Sequence, residues 1–337
     1  MRDSTSNWQK ILAQGFSSAS ELLEFLQLPS SMASHLAEKQ FKTRVPRAFA
    51  ELMEKGNRYD PLLMQVLAVD DELQMQAGFV HDPLKETSAN PVKGLIHKYH
   101  GRVLLVLTGG CVINCRYCFR RHFPYQDNNP GRKGWQQTLE YIANDSSIQE
   151  VILSGGDPLL AQDGVLSEVF SYLSSIPHVR FLRIHTRIPV VLPERVNASL
   201  LELLASLPLQ KVIVLHSNHP HELDERVAQA CMALRHADCH LLNQSVLLAG
   251  VNNDSLVLAA LSQRLFSCGV LPYYLHFLDK VQGAAHFSVT LAEAKNIFRS
   301  LQEHLPGYLV PRFACEQPGK KSKTLIMAED FLEHSFS

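Results

Sequence analysis

No stretch of the 337-residue sequence approaches the roughly 20 apolar residues needed to span a bilayer, so a membrane partner is not expected. There is also no block of like charge: 32 basic side chains face 33 acidic ones, for a formal net charge of −1. A nucleic-acid partner would call for a basic stripe or a strongly basic total, so the expected partner is a small molecule or a protein. The opening MRDSTSNWQK is polar and lacks the apolar core of a secretory signal, which makes a cytoplasmic location the expectation. Seven cysteines, an odd number with no export signal, argue against a disulfide framework. What the chain does have is 46% hydrophobic and 19% charged residues, enough for a large buried core.

The first part of the chain reads as helical. Ser18-Ala-Ser-Glu21 has capping-box spacing ahead of an apolar face at Leu22, Leu23, Phe25 and Leu26. Asp60-Pro61 pairs a capping residue with a first-turn proline before Leu62, Leu63, Val66, Leu67 and Val69. The polar segment HDPLKETSANP, residues 81–91, reads as a linker. Two regions are therefore expected: 1–95 as a helical extension with its linker, and 96–337 as the main domain. In the second, apolar runs at 102–108, 150–153, 180–184, 211–215, 241–248 and 273–277 alternate with helical segments, and a seventh follows at 308–313. This alternation indicates βα units and a parallel sheet. In such sheets, sites form where strands end. The cysteine cluster, Ser154-Gly-Gly-Asp-Pro158, His185-Thr-Arg187, His216-Ser-Asn218 and Asp279 all fall at such places.

Cys111-x3-Cys115-x2-Cys118 puts three soft ligands on one short loop. Three thiolates can hold three irons of a cubane and leave the fourth iron open for a substrate. A zinc site would ask for a second ligand pair, and none stands at typical spacing; chance clustering is the other alternative. The remaining cysteines, Cys231, Cys239, Cys268 and Cys315, are scattered and read as small core residues. The glycine pair Gly155-Gly156 is a position where backbone can approach a ligand that side chains would block.

The cysteine spacing at the end of a first strand, with Ser154–Pro158 after the second, resembles the radical S-adenosylmethionine (SAM) superfamily. From His97 to Lys323 the chain further resembles the lysine 2,3-aminomutase family, most closely its short bacterial members. The segments HKYHGRVLL, CRYCFRRHF, LSGGDPL, HTRIPVVLP, HSNHPHEL and NQSVLLAGVN carry that likeness. It implies a partial parallel (β/α)6-type barrel with a helical N-terminal extension. It also implies a PLP-dependent isomerase that converts L-α-lysine to β-lysine through a 5′-deoxyadenosyl radical, with the product destined for elongation factor P. Another amino acid, such as glutamate, is the alternative substrate.

The same resemblance implies roles residue by residue. A [4Fe–4S] cluster would sit on Cys111, Cys115 and Cys118, with SAM against Gly155, Gly156 and Asp157. His216, Gln244 and Asn243 would line the adenosyl end. Pyridoxal 5′-phosphate (PLP) would be carried by Lys323, with Tyr99 on its ring and Lys98 and Arg187 toward its phosphate. A solvated lysine in a basic tail is the plainer reading of Lys323, given Lys320 and Lys321 beside it. Arg120 would meet the substrate carboxylate, and Asp279 and Glu316 its far ammonium group; the long mutases have aspartate at the latter position. Two buried carboxylates are costly without a cation between them, which favours lysine over an acidic substrate. The implied partners are a flavodoxin- or ferredoxin-like electron donor and, functionally, the ligase that loads β-lysine on elongation factor P. Longer members carry a zinc-binding C-terminal extension that this sequence lacks, so no zinc is expected, and oligomeric state is left open.

Overall fold

In the computed structural model, which describes residues 7–128 and 131–327, the apolar runs form one nine-stranded sheet whose spatial order follows chain order. The strands are β1 (Leu95–Tyr99), β2 (Arg102–Thr108), β3 (Glu150–Gly155), β4 (Phe181–Thr186), β5 (Gln210–His216), β6 (Cys239–Val246), β7 (Leu271–His276), β8 (Arg312–Cys315) and β9 (Thr324–Leu325). Strands β2 to β8 pair parallel throughout. Each of β2 to β7 is followed by a crossover to the next parallel strand. The middles of β2, β3 and β5 are mostly buried, as expected of strands covered on both faces.

Crossover helices begin where a short polar side chain can accept orphan N–H groups. Asn197 accepts from Leu200 N, Asp224 from Val227 N, Asp254 from Leu256 and Val257 N, and Thr290 from Glu293 N. Because residues of every strand line one cavity, the sheet curls into a partial barrel with β1 and β9 as its edges. The barrel has one more parallel strand than the six expected: the seventh run makes a 3-10 turn at Gly307–Leu309 and then joins the sheet as β8. The antiparallel edges were not anticipated. β1 returns into β2 through a tight turn in which Gly101 has φ +75, and β9 folds back on β8.

The helical start of the chain is built from short pieces, Asn7–Ala13, Ala19–Phe25, His35–Gln40, Arg47–Ala50 and Pro61–Met64. Ser18 caps the second, accepting from Ser20 N, and Asp60 caps the last through Leu62 N and Leu63 N. Apolar side chains of this region, including Trp8, Phe16, Leu22, Phe49 and Leu62, share one continuous hydrophobic cluster with Leu105, Leu153, Leu182 and Ile213 of the barrel. The segment read as a linker is partly structured. It turns as a 3-10 helix at Glu86–Ala89, and the Glu86 side chain is buried. Cys231, Cys239 and Cys268 are core residues, whereas Cys315 is only half-buried.

Candidate active site

A cavity of about 600 Å³ fills the concave side of the sheet. It reaches from Arg102 and Glu150 at the starts of β2 and β3 to the cysteine loop, Asp157, Arg187 and Asp279 beyond the strand ends. The candidate site therefore extends along the barrel's inner face as well as its mouth.

The cysteine loop follows β2 and is held from outside the barrel. Arg44 donates to the Cys111 carbonyl (2.8 Å), Asn114 N to Arg44 O (3.0 Å), and Arg116 N to Gln65 O (2.8 Å). Arg116, fully buried, forks onto Glu72 at 2.7 and 2.5 Å, and Arg121 donates to the same carboxylate at 2.6 Å. All three thiols line the cavity. Burial, then repulsion from Cys118 and Asp157, pushes the Cys111 thiol up, and burial with the neighbouring Cys115 pushes Cys118 to about 11. Two of the three crowded thiols, Cys111 and Cys118, resist ionisation in isolation, which suits a metal cluster whose cations stabilise the thiolates. Among the described residues no three His, Cys, Asp or Glu side chains are grouped around a single-ion position. A cubane needs no such point, since each iron takes its own thiolate. The donor set fits that cluster.

The glycine pair earns its place differently from the expectation. A Cβ on Gly156 would lie 2.0 Å from Gly110 O, and one on Gly155, whose φ is +117, would lie 2.6 Å from Thr108 O. The pair lets the end of β3 press against the backbone that introduces the cysteines, where Asp157 N donates to Gly110 O at 2.8 Å. Both glycines also line the cavity. Asp157 needs a similar correction. Its Oδ1 accepts from Leu159 N (3.1 Å) and Thr186 Oγ1 (2.7 Å), and its Oδ2 from Arg187 N (2.7 Å) and Ile188 N (3.1 Å). A carboxylate so committed ties β3 to β4 and has little left for a ligand. Burial outweighs these bonds and raises it to about 6.

Where the resemblance expects the adenosyl end, the structure gathers His216, Gln244 and His185, a strand-end residue given no role in the sequence reading. Gln244 Nε2 lies 2.9 Å from His216 Nε2 and 3.5 Å from His185 Nδ1, and His185 Nε2 is buried without a partner among the described residues. Burial, with Arg187 and Arg120 adding to it, lowers His216 to about 3, and burial likewise lowers His185. Both imidazoles are therefore neutral near pH 7, suited to hydrogen-bonding an uncharged group. Asn243 is not among the cavity residues. Its amide bonds Ser217 N (2.9 Å), Ser217 O (3.1 Å) and Ser245 Oγ (3.1 Å), joining β5 to β6.

Lys323 donates to Glu316 Oε2 at 2.9 Å, and Lys98 donates to Glu316 Oε1 at 3.0 Å. Burial would raise Glu316, but the two ammonium groups overcome it and hold the carboxyl at about 2. Tyr99 stands beside this acid; burial and then Glu316 push its hydroxyl up, while Arg102 stacks 4.8 Å over its ring. Lys323 itself lies 5.8 Å from the Tyr274 ring centre. Asp279 also faces the cavity, and among the described residues its carboxylate has no recorded cation or hydrogen-bond partner. Burial and the nearby Glu316 raise it to about 7, with Lys323 pulling the other way.

Arg120 is buried and forks onto Glu86 at 2.7 and 2.9 Å, with Nη1 on Ser154 Oγ at 2.9 Å. Glu86 lies in the segment read as a linker, which offered no periodic or motif signal for it. Burial would raise its carboxyl, but Arg120 and Lys98 bring it below the usual range. Arg187 is the clearest departure from the resemblance. It was assigned to a phosphate, yet its guanidinium is directed at Cys115, Tyr117, Gln65 and Glu222. Two cavity cations that sequence reasoning passed over, Arg102 and Arg312, have no recorded acidic partner among the described residues.

A model of the radical SAM superfamily matches residues 105–260. The chain is 50% identical to the L-lysine 2,3-aminomutase of Haemophilus influenzae, over 95% of both chains. It is 49% identical to that of Escherichia coli, over 95% of this chain and 94% of the relative. Against the enzyme of that name from Clostridium subterminale, identity is 34% over 98% of this chain and 80% of the relative. With its cysteine loop and strand ends gathered on one cavity, the chain belongs to the L-lysine 2,3-aminomutase family of the radical SAM superfamily.

Proposed function

We propose that the protein converts L-α-lysine to β-lysine by moving an amino group from carbon 2 to carbon 3, and that it does so with PLP on Lys323. The observation that carries this reading is the unequal pair of acids in one cavity. Glu316 already holds two ammonium groups, whereas Asp279 has no cation paired to it among the described residues and is raised to about 7 by burial and by Glu316. A substrate ending in an ammonium group supplies that cation; an acidic substrate such as glutamate would add a further anion.

When bound, the cluster with SAM supplies a radical able to remove hydrogen from an unactivated carbon, and PLP supplies the electrophilic carbon that carries the migrating nitrogen. The chain's own part is position and charge. Cys111, Cys115 and Cys118 hold the cluster; Gly155 and Gly156 shape the wall beside it. His216, Gln244 and His185 offer uncharged hydrogen-bonding groups to the adenosyl moiety. Tyr99 supplies a ring face for the pyridine. Lys98 is engaged with Glu316, which leaves Arg102 and Arg312, cavity cations without an acidic partner among the described residues, to meet a phosphate. Arg120, already forked onto Glu86, offers its remaining N–H groups to the substrate carboxylate at one end, and Asp279 receives the side-chain ammonium at the other. The enclosing barrel excludes water from a reactive site.

The extension at 1–95 serves the barrel of 96–337 by holding the cysteine loop, in keeping with the contacts of Arg44, Gln65 and Glu72. No helix among the described residues is long and apolar enough to cross a membrane. We place the enzyme in the cytoplasm, reduced by a flavodoxin- or ferredoxin-like donor, with β-lysine passing to the ligase that modifies elongation factor P. Likeness to the short bacterial mutases supports that last step.

The test is anaerobic incubation of reconstituted protein with PLP, SAM, reductant and L-lysine, followed by chromatography for β-lysine. Product that is lost in Cys118→Ala and Lys323→Ala supports the reading. Cleavage of SAM with no β-lysine overturns the substrate, and no cleavage despite an intact cluster overturns the chemistry.

A further inference from the structure

Arg187 has no task in the reaction just described, yet it is among the most thoroughly held cations in the molecule. It is 5% exposed at the end of β4. Its Nη1 donates to Cys115 Sγ (2.7 Å) and Tyr117 Oη (2.8 Å), and its Nη2 to Gln65 Oε1 (2.7 Å) and Glu222 Oε2 (3.0 Å). The partners are fixed in turn. Gln65 Nε2 donates to Glu222 Oε1 at 3.1 Å, and Asn218 Nδ2 donates to Gln65 Oε1 (3.0 Å) and Tyr117 Oη (2.7 Å). Asn218 N and His219 N donate to Glu222 Oε1 at 2.9 and 3.0 Å. The guanidinium also lies 5.3 Å from the Phe49 ring centre. Pieces of the N-terminal extension, β4 and the loop after β5 thus cooperate to aim one permanent cation at one cysteine sulfur.

Iron–sulfur potentials respond to net charge and to hydrogen bonds on the cluster sulfurs. Reduction adds one electron, and so one negative charge, with no bond made or broken and no proton moved. A cation donating to a ligand sulfur stabilises the reduced state more than the oxidised one. An acid paired to that cation from its other side opposes the effect. We propose that Arg187 sets the reduction potential of the cluster through its bond to Cys115, raising it, and that Glu222 limits the rise. The inference rests on the assignment of the cluster to Cys111, Cys115 and Cys118. It makes Arg187 a positioning residue that acts through a ligand.

The experiment compares parent, Arg187→Gln and Glu222→Gln proteins reconstituted anaerobically and assayed for iron and sulfide. Each is titrated with dithionite and mediators without SAM, and the reduced cluster is followed by electron paramagnetic resonance. Arg187→Gln should lower the reduction equilibrium constant about tenfold, which for a one-electron couple is about 59 mV more negative. Glu222→Gln should shift the potential to more positive values. Opposite signs are the signature, because general loosening of the site would move both variants the same way. Shifts of one sign, or a parental potential in either variant with full cluster content, would overturn the proposal. Should Arg187→Gln fail to assemble a cluster, the sign in Glu222→Gln decides alone. A Cys115→Ala protein that keeps a complete, three-cysteine-type cluster would instead overturn the assignment beneath it.

Discussion

Asp279 offers the sharpest test of substrate choice, because its environment leaves one charge unanswered. Burial and Glu316 raise its carboxyl to about 7, so near neutral pH the free protein is divided between charged and neutral forms. Lysine binding places an ammonium group against it and favours the charged form. Removing one partner of a buried, hydrogen-bonded charge pair costs about 2–5 kcal/mol. Asp279→Asn should therefore lower kcat/KM for lysine by roughly 30-fold to several thousand-fold. The pH profile adds an independent check. In the parent, kcat/KM should fall as pH drops through about 7, since that limb reports the free enzyme's acid; in Asp279→Asn the limb should vanish. The sign for stability runs the other way. A carboxyl whose folded pKa is raised binds more protons folded than unfolded, so its contribution to stability falls as pH rises from about 4 toward 7. Steady-state kinetics from pH 6 to 9 with anaerobic protein would measure the loss in kcat/KM and the acid limb. A variant within threefold of the parent, or one that keeps the acid limb, refutes the pairing of Asp279 with the substrate ammonium.

Gly156→Ala would place a methyl group 2.0 Å from Gly110 O, where the nearest atoms are all backbone, so the protein should lose most of its cluster iron in a colorimetric assay. Lys323→Ala should abolish the near-ultraviolet absorbance of bound pyridoxal while iron and sulfide stay at parental levels; retained absorbance would move the cofactor to another lysine. Glu72→Ala leaves Arg116 and Arg121 buried without their shared anion, and denaturant unfolding should show a loss of about 3–5 kcal/mol.

What could be read in the sequence was local in the chain. The strand runs, the cysteine triplet and the glycine pair each announce themselves within a few residues, and β2 spans the residues expected of it. What could not be read lies far apart in sequence. Glu86 meets Arg120 across 34 positions and Gln65 meets Glu222 across 157, each a single polar residue in a stretch without periodicity. The arginine after β4 shows a related difficulty. A motif fixes residue identity, but the direction of a long side chain depends on which acids surround it, and Glu222 and Gln65 turn Arg187 toward the cysteines. Arg102 and Arg312 escaped notice because a cation's availability is a property of its neighbours, and few carry a weaker local signal than an arginine at the start of a strand.

The same contacts change how the N-terminal extension should be understood. An extension that only lengthened the chain would meet the barrel through apolar side chains, and Trp8, Phe16 and Leu22 do so. Polar groups from it also reach the site. Glu72 neutralises Arg116 within the cysteine loop and Arg121 just after it, Gln65 links Arg187 to Glu222, and Glu86 neutralises Arg120. Each buried cation beside the cysteines thus has an anion or a neutral acceptor supplied from before β1. Buried arginines without such partners would be costly enough to distort the loop they hold. The arrangement of the cysteines therefore depends on residues that precede the barrel in the chain, and substitutions in the extension should be felt at the cluster before they are felt in the sheet.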